Sequence, residues 1–157
     1  MQRRSLIQAT AALLGAASLT SPLIALAQSK PQVEVWKTAT CGCCHDWVTH
    51  MEANGFQVKT HDISEAAKTT QRRQLGLADK FGSCHTALVG GYVLEGHVPA
   101  SDIRRLLKDR PKALGLAVPG MPIGSPGMDG PAYGGRKDAY GVLLVQRDGS
   151  SSVYQAY

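Results

Sequence analysis

The chain of 157 residues has little net charge, no internal repeat and only four cysteines. Each shortage excludes something. Seventeen basic against twelve acidic residues give +5, too mild and too scattered for a nucleic-acid-binding surface. The basic pairs Arg72-Arg73 and Arg104-Arg105 fall in predicted helices, where they read as solvated faces. Without a repeat there is no solenoid. Four cysteines in a chain this long are too few for a disulfide-built scaffold, because a domain of this size buries a core of its own. Beyond residue 27 no apolar run is long enough to cross a membrane.

The one long apolar stretch is N-terminal. Arg3 and Arg4 precede a run from Leu6 to Ala27 that is diluted by Thr10, Gly15, Thr20, Ser21 and Pro22 and closes on Ala25-Leu26-Ala27. This is the layout of a cleaved secretory leader, residues 1–27, and Arg3-Arg4 also fits the twin-arginine type, leaving the export route as Tat or Sec. Cleavage there leaves residues 28–157 as one domain, and the loss of Arg3 and Arg4 lowers the net charge to +3. The expected location is the periplasm, with no stable membrane insertion after cleavage.

Hydrophobic periodicity predicts strands over 33–37, 56–59, 85–90 and 92–95, and helices over 43–54, 65–75 and from Pro99 to Pro111. Residues 115–135, with seven glycines and four prolines, read as a loop. Tyr140 to Gln146 and Ser152 to Tyr157 flank Asp148-Gly149 as a terminal hairpin. The order β-α-β-α-β-β-α predicts an α/β fold, a thioredoxin-like mixed sheet with flanking helices and an added C-terminal hairpin. Trp36, Trp47 and Phe56 read as core.

Three of the four cysteines, Cys41, Cys43 and Cys44, sit where the first strand hands over to the first helix. The helix dipole and its unpaired N–H groups favour thiolate there, the form that binds metals and attacks disulfides. Cys41 and Cys44 form a C-x-x-C, the pattern of a thiol–disulfide oxidoreductase. Cys43 is a poor companion for that chemistry, since a third thiol traps wrong disulfides, but a soft metal gains from another sulfur. Cys84, entering the third strand, faces the same turn by analogy with thioredoxin-like folds. Four sulfurs admit Cu(I), Zn(II) or an iron–sulfur cluster. Adjacent ligands at 43 and 44 suit a multinuclear Cu(I) thiolate better than one tetrahedral ion, so copper leads. A structural disulfide and, through Cys41-Gly42-Cys43-Cys44-His45, a covalent haem are weaker readings.

The chain resembles the CopG-like family of periplasmic copper-resistance and metal-binding proteins. The resemblance is carried by Cys41-Gly42-Cys43-Cys44 with Trp47-Val48, Ser83-Cys84-His85-Thr86-Ala87, Gly96-His97-Val98-Pro99-Ala100, and the run from Gly120 to Met128. It implies a thioredoxin-like fold in which Cys41, Cys43, Cys44 and Cys84 hold a copper cluster that handles or redox-converts copper. Other periplasmic copper-handling proteins are the implied partners. His85, Met121 and Met128 are further candidate ligands, the methionines for their soft thioether sulfur. Strand alternation is expected to turn His85 away from Cys84. His45, one residue past Cys44 on the helix, is a candidate on a par with His85, His97 is expected to fix a turn, and His50 and His61 are expected at the surface.

Overall fold

The computed structural model describes residues 29–157, and the leader expected over residues 1–27 lies outside them. Seven strands, β1 (Gln32–Lys37), β2 (Gln57–Asp62), β3 (Thr86–Val89), β4 (Tyr92–Glu95), β5 (Gly115–Ala117), β6 (Gly141–Val145) and β7 (Ser151–Ala156), form one sheet in the order β2-β1-β3-β4-β5-β6-β7. Three helices, α1 (Gly42–Ala53), α2 (Glu65–Gln74) and α3 (Ala100–Asp109), complete this mixed α/β fold. β1 pairs with β2 in parallel across α1, and β4 with β5 in parallel across α3. The other neighbours are antiparallel. Among the described residues no helix is long and apolar enough to cross a membrane.

Strand alternation sorts the core into two layers. Val33 and Val35 of β1, Ala87 and Val89 of β3, Leu94 and Leu116 point to one face, where Trp47 and Met51 of α1 and Ile103 and Leu106 of α3 cover them. Their partners in the pleat, Val93, Ala117 and Val145, point to the other, where Leu77, Phe81 and Leu114 close a smaller core. In α1 the buried residues Cys44, Trp47 and Met51 fall three and four apart, one helical stripe. Cys44 therefore lies on the core-facing stripe of the helix, ahead of Trp47 and Met51.

α2 has no comparable apolar stripe. It starts on a Ser64 cap, whose hydroxyl accepts from the Ala67 amide at 3.2 Å, and buries Lys68 and Arg72, one turn apart. Arg72 is thus no solvated group: it is 7% exposed and bonds Asp79 at 3.1 Å and the fully buried Glu95 at 3.4 Å. The expectation of a solvated face fails here because the side-chain stem covers the sheet while the guanidinium finds carboxylates.

The glycine-rich segment is not wholly a loop. Gly115 to Ala117 add β5 to the sheet, completing a second β-α-β unit through α3. Three residues with two small ones carry too short a pattern to stand out. From Val118 onward the chain is held by its own bonds, Gly124 N–H to the Met128 carbonyl at 2.8 Å and Asp138 N–H to the Ile123 carbonyl at 2.8 Å. The terminal hairpin forms where expected, with Tyr157 Oη donating to Asp102 at 2.8 Å.

Candidate metal and thiol centre

β1 ends at Lys37, and a turn closed by Cys41 N–H to the Thr38 carbonyl, 3.2 Å, delivers Cys41 to the N-cap of α1. Cys43 and Cys44 follow in the first helical turn. Cys41 and Cys44 are joined as a disulfide with Cα atoms 5.3 Å apart, while Cys43 and Cys84 are free thiols. Cys43 Sγ lies 3.6 Å from Cys41 Sγ.

Cys84 comes from the other side, on the segment entering β3, and that segment is tightly held. Lys68 of α2 donates to the Cys84 carbonyl at 2.8 Å. The Ser83 amide donates to Glu95 at 2.7 Å, and the same carboxylate accepts from Thr86 Oγ1 at 2.6 Å and from Arg72. Ser83 Oγ bonds the Gly120 carbonyl, tying the segment to the C-terminal loop. The four cysteine sulfurs consequently lie within 4.8 Å of one another. The four cysteines singled out in the sequence are thus neighbours in the fold.

Two imidazoles converge on Cys84. His85 Nδ1 stands 3.2 Å and His97 Nε2 2.9 Å from its Sγ, both rings fully buried. The expectation that His85 turns away is corrected here. β3 begins only at Thr86, so residues 84 and 85 precede the pleat that would have separated them. The His85 ring packs on Trp47, centroids 4.3 Å apart, and edge-on to His97. His97, expected to fix a turn, faces the thiol instead. The visible signal was its place in the Gly96-to-Ala100 match.

Burial, followed by the neighbouring Cys43, pushes the Cys84 thiol up to about 12. Burial lowers both imidazoles, that of His85 well below the usual histidine range, which disfavours the charged rings. A thiol that resists ionisation between two imidazoles is held protonated and hydrogen-bonded.

The C-terminal loop lies over this centre. The Pro126 carbonyl meets His97 Nδ1 at 2.8 Å. Gly127, at φ +85°, presses on α1 so closely that a Cβ would stand 2.6 Å from the Cys43 carbonyl and 2.7 Å from the Trp47 amide. Met128 is buried and its Sδ accepts from Tyr133 Oη at 3.2 Å, whereas Met121 is 52% exposed. His45 is exposed, its Nε2 3.2 Å from Lys37 Nζ. His50 is half-buried and accepts from the first amide of α3, Ala100, at 3.2 Å, a cap rather than a surface group. Trp36 is half-buried, stacked on His61. Clefts of 590 and 600 Å³ open near the Gly90-Gly91 hairpin, at the other end of β3, and include none of the site residues.

A family described as a protein of unknown function, DUF411, matches residues 81–128, the segment carrying Cys84, His85, His97, Met121 and Met128. Two solved structures, described as copper resistance protein copG in form 1 and form 2, are 45% and 46% identical to the chain. Each match covers 82% of this chain and 98% of the other, with a TM-score of 0.73. No curated protein matches.

Proposed function

The chain belongs to the family of the copper resistance protein copG, and from that premise we propose that it binds copper through Cys41, Cys43, Cys44 and Cys84, sequestering, transferring or redox-handling the ion in the periplasm. The single observation that carries the reading is the convergence of four sulfurs from two separate segments within 4.8 Å. A disulfide-exchange site needs two of them, and a soft cation gains from all four.

Copper is here the cargo. Cys41 and Cys44 become ligands only after an external dithiol, itself oxidised to a disulfide, gives their bond two electrons and two protons, so metal binding and the oxidised pair exclude each other at these two sulfurs. Cys43 and Cys84 are free thiols and lose their protons as they bind. Lys68 and Glu95 position Cys84 through the backbone on either side of it. Pro126 and Gly127 bring the C-terminal loop over the cluster, where Met128 and then Met121 are candidate thioether ligands. We take the fold as thioredoxin-like, on the order β2-β1-β3-β4 with β3 antiparallel to both neighbours. The working unit is residues 28–157, exported by the leader of residues 1–27.

The disulfide itself favours a second reading, a thiol–disulfide oxidoreductase using Cys41 and Cys44. The double variant Cys43→Ser plus Cys84→Ser separates the two. The copper reading expects the reduced variant to lose most of its Cu(I) uptake while Cys41 and Cys44 still interconvert. Unchanged Cu(I) uptake, or insulin reduction by both proteins with no copper bound by either, would contradict it.

A further inference from the structure

We propose that Lys68 is a positioning residue for the Cys41–Cys44 disulfide, a fixed cation that offsets the negative charge left on Cys44 when a thiol attacks Cys41. The proposal rests on the reading that copper enters only after this bond is broken. It concerns the opening step and not the ligands themselves.

α2 is a polar helix, yet Lys68 is only 4% exposed. Its ammonium donates to the Cys84 carbonyl at 2.8 Å and meets Glu65, itself 71% exposed, at 2.9 Å. An ion pair whose carboxylate stands in solvent is weak, so the inward side of the cation is left with little compensation. The Cys84 carbonyl is also the group that faces Cys44, with its oxygen 3.7 Å from Cys44 Sγ. One oxygen atom therefore separates a buried cation from a buried sulfur.

The two sulfurs of the disulfide differ in access, since Cys44 is fully buried and Cys41 is partly exposed. An incoming thiolate consequently attacks Cys41 Sγ. A bond forms between the incoming sulfur and Cys41, the Cys41–Cys44 bond breaks, and its electron pair stays on Cys44 as a thiolate. When the partner is a dithiol, its second thiolate displaces Cys41 and the partner departs as a disulfide. The two protons the partner has given up pass to Cys41 and Cys44. In the first step the new charge on Cys44 faces a carbonyl oxygen, which alone would repel it. Lys68, bonded to that same oxygen, reverses the sign of the surroundings, and a charge acts more strongly in the interior than in water.

The bland alternative is that Lys68 merely anchors the segment entering β3. That segment is already held by the Ser83 amide on Glu95 at 2.7 Å and by Ser83 Oγ on the Gly120 carbonyl. An anchor needs only a donor, and a buried ammonium costs more to desolvate than a neutral one. The carbonyl shared with Cys44 gives that charge a use.

The test uses the full chain in its disulfide form and follows its second-order reaction with dithiothreitol by acid quenching and alkylation of the freed cysteines. Lys68→Gln keeps a donor and loses the charge, and should react about tenfold more slowly. Lys68→Arg keeps the charge and should restore most of the rate. An unchanged rate in Lys68→Gln, or equal slowing in both variants, would overturn the proposal. A second measurement needs no variant: glutathione on the unmodified chain, trapped by alkylation, should be found on Cys41 with Cys44 released, and an adduct on Cys44 would overturn the proposal as well. Cu(I) uptake by the reduced unmodified chain is measured separately, and its absence would overturn the copper reading while leaving the role of Lys68 in opening the disulfide.

Discussion

Gly127 is where the C-terminal loop and the first turn of α1 touch backbone to backbone, and it has room for no side chain. Gly127→Ala adds a left-handed backbone strain of about 1–3 kcal/mol to a clash with two main-chain atoms that cannot swing away. We expect a loss of at least about 2 kcal/mol in chemical denaturation, with Cys43 more reactive towards thiol reagents as the loop lifts. Trp47 is a second fixed point, donating from Nε1 to the Val98 carbonyl at 2.9 Å next to His97. Trp47→Phe leaves that buried carbonyl unanswered and is expected to cost about 1–3 kcal/mol in the same measurement. The cysteine positions were legible at this scale because the residue type carries its own chemistry. His97 was not, because a histidine between a glycine and a proline-bounded helix start looks like turn furniture until the Pro126 carbonyl and Cys84 are placed around it.

At the scale of elements, α2 differs from the other two helices. It meets the second face of the sheet with Lys68 and Arg72 and reaches the site through charge and hydrogen bonds. Arg72→Met removes the cation that faces the buried Glu95, whose carboxyl is already pushed up by burial, and is expected to cost about 1–3 kcal/mol, because the group loses a charged donor and must take up a proton inside. The same variant should free the Ser83-Cys84 segment, read as faster hydrogen exchange at the Ser83 amide. Asp79, just beyond α2, has its carboxyl held at about 2 by Arg73 and then Arg72, below its ordinary value near 3.8. A lowered folded-state value means the clasp is complete above the ordinary value and is lost as pH falls through about 2. Asp79→Asn should accordingly flatten the acid limb of a stability-against-pH curve without moving the neutral plateau's shape. α1, α3 and β4 were legible from periodicity and turn residues. β5 was not, since three residues cannot show a period, and α2's polar face was visible but was given to solvent because charge usually goes there.

The whole molecule is one sheet whose two ends do different things. At one, the turn after β1, the segment before β3 and the C-terminal loop meet around the cysteines. At the other, the Gly90-Gly91 hairpin borders the two clefts. The mixed sheet was legible because the first β-α-β unit forces a parallel pair and the glycine hairpin an antiparallel one. How the last two strands join was not, because it depends on β5 linking β4 to β6. The site is composite for the same reason. Its sulfurs come from residues 41–44 and 84, and its cover from residues 126–128, brought together only by the finished sheet.

A copper–thiolate centre built from four cysteines can be checked by elemental analysis combined with thiol titration on the reduced chain, loaded anaerobically with copper, zinc and iron all available. More than one copper per chain is expected, with Cys41, Cys43, Cys44 and Cys84 all protected from thiol reagents. A chain that emerges without metal, with Cys41 and Cys44 reversibly oxidised and Cys43 and Cys84 open to modification, would contradict it.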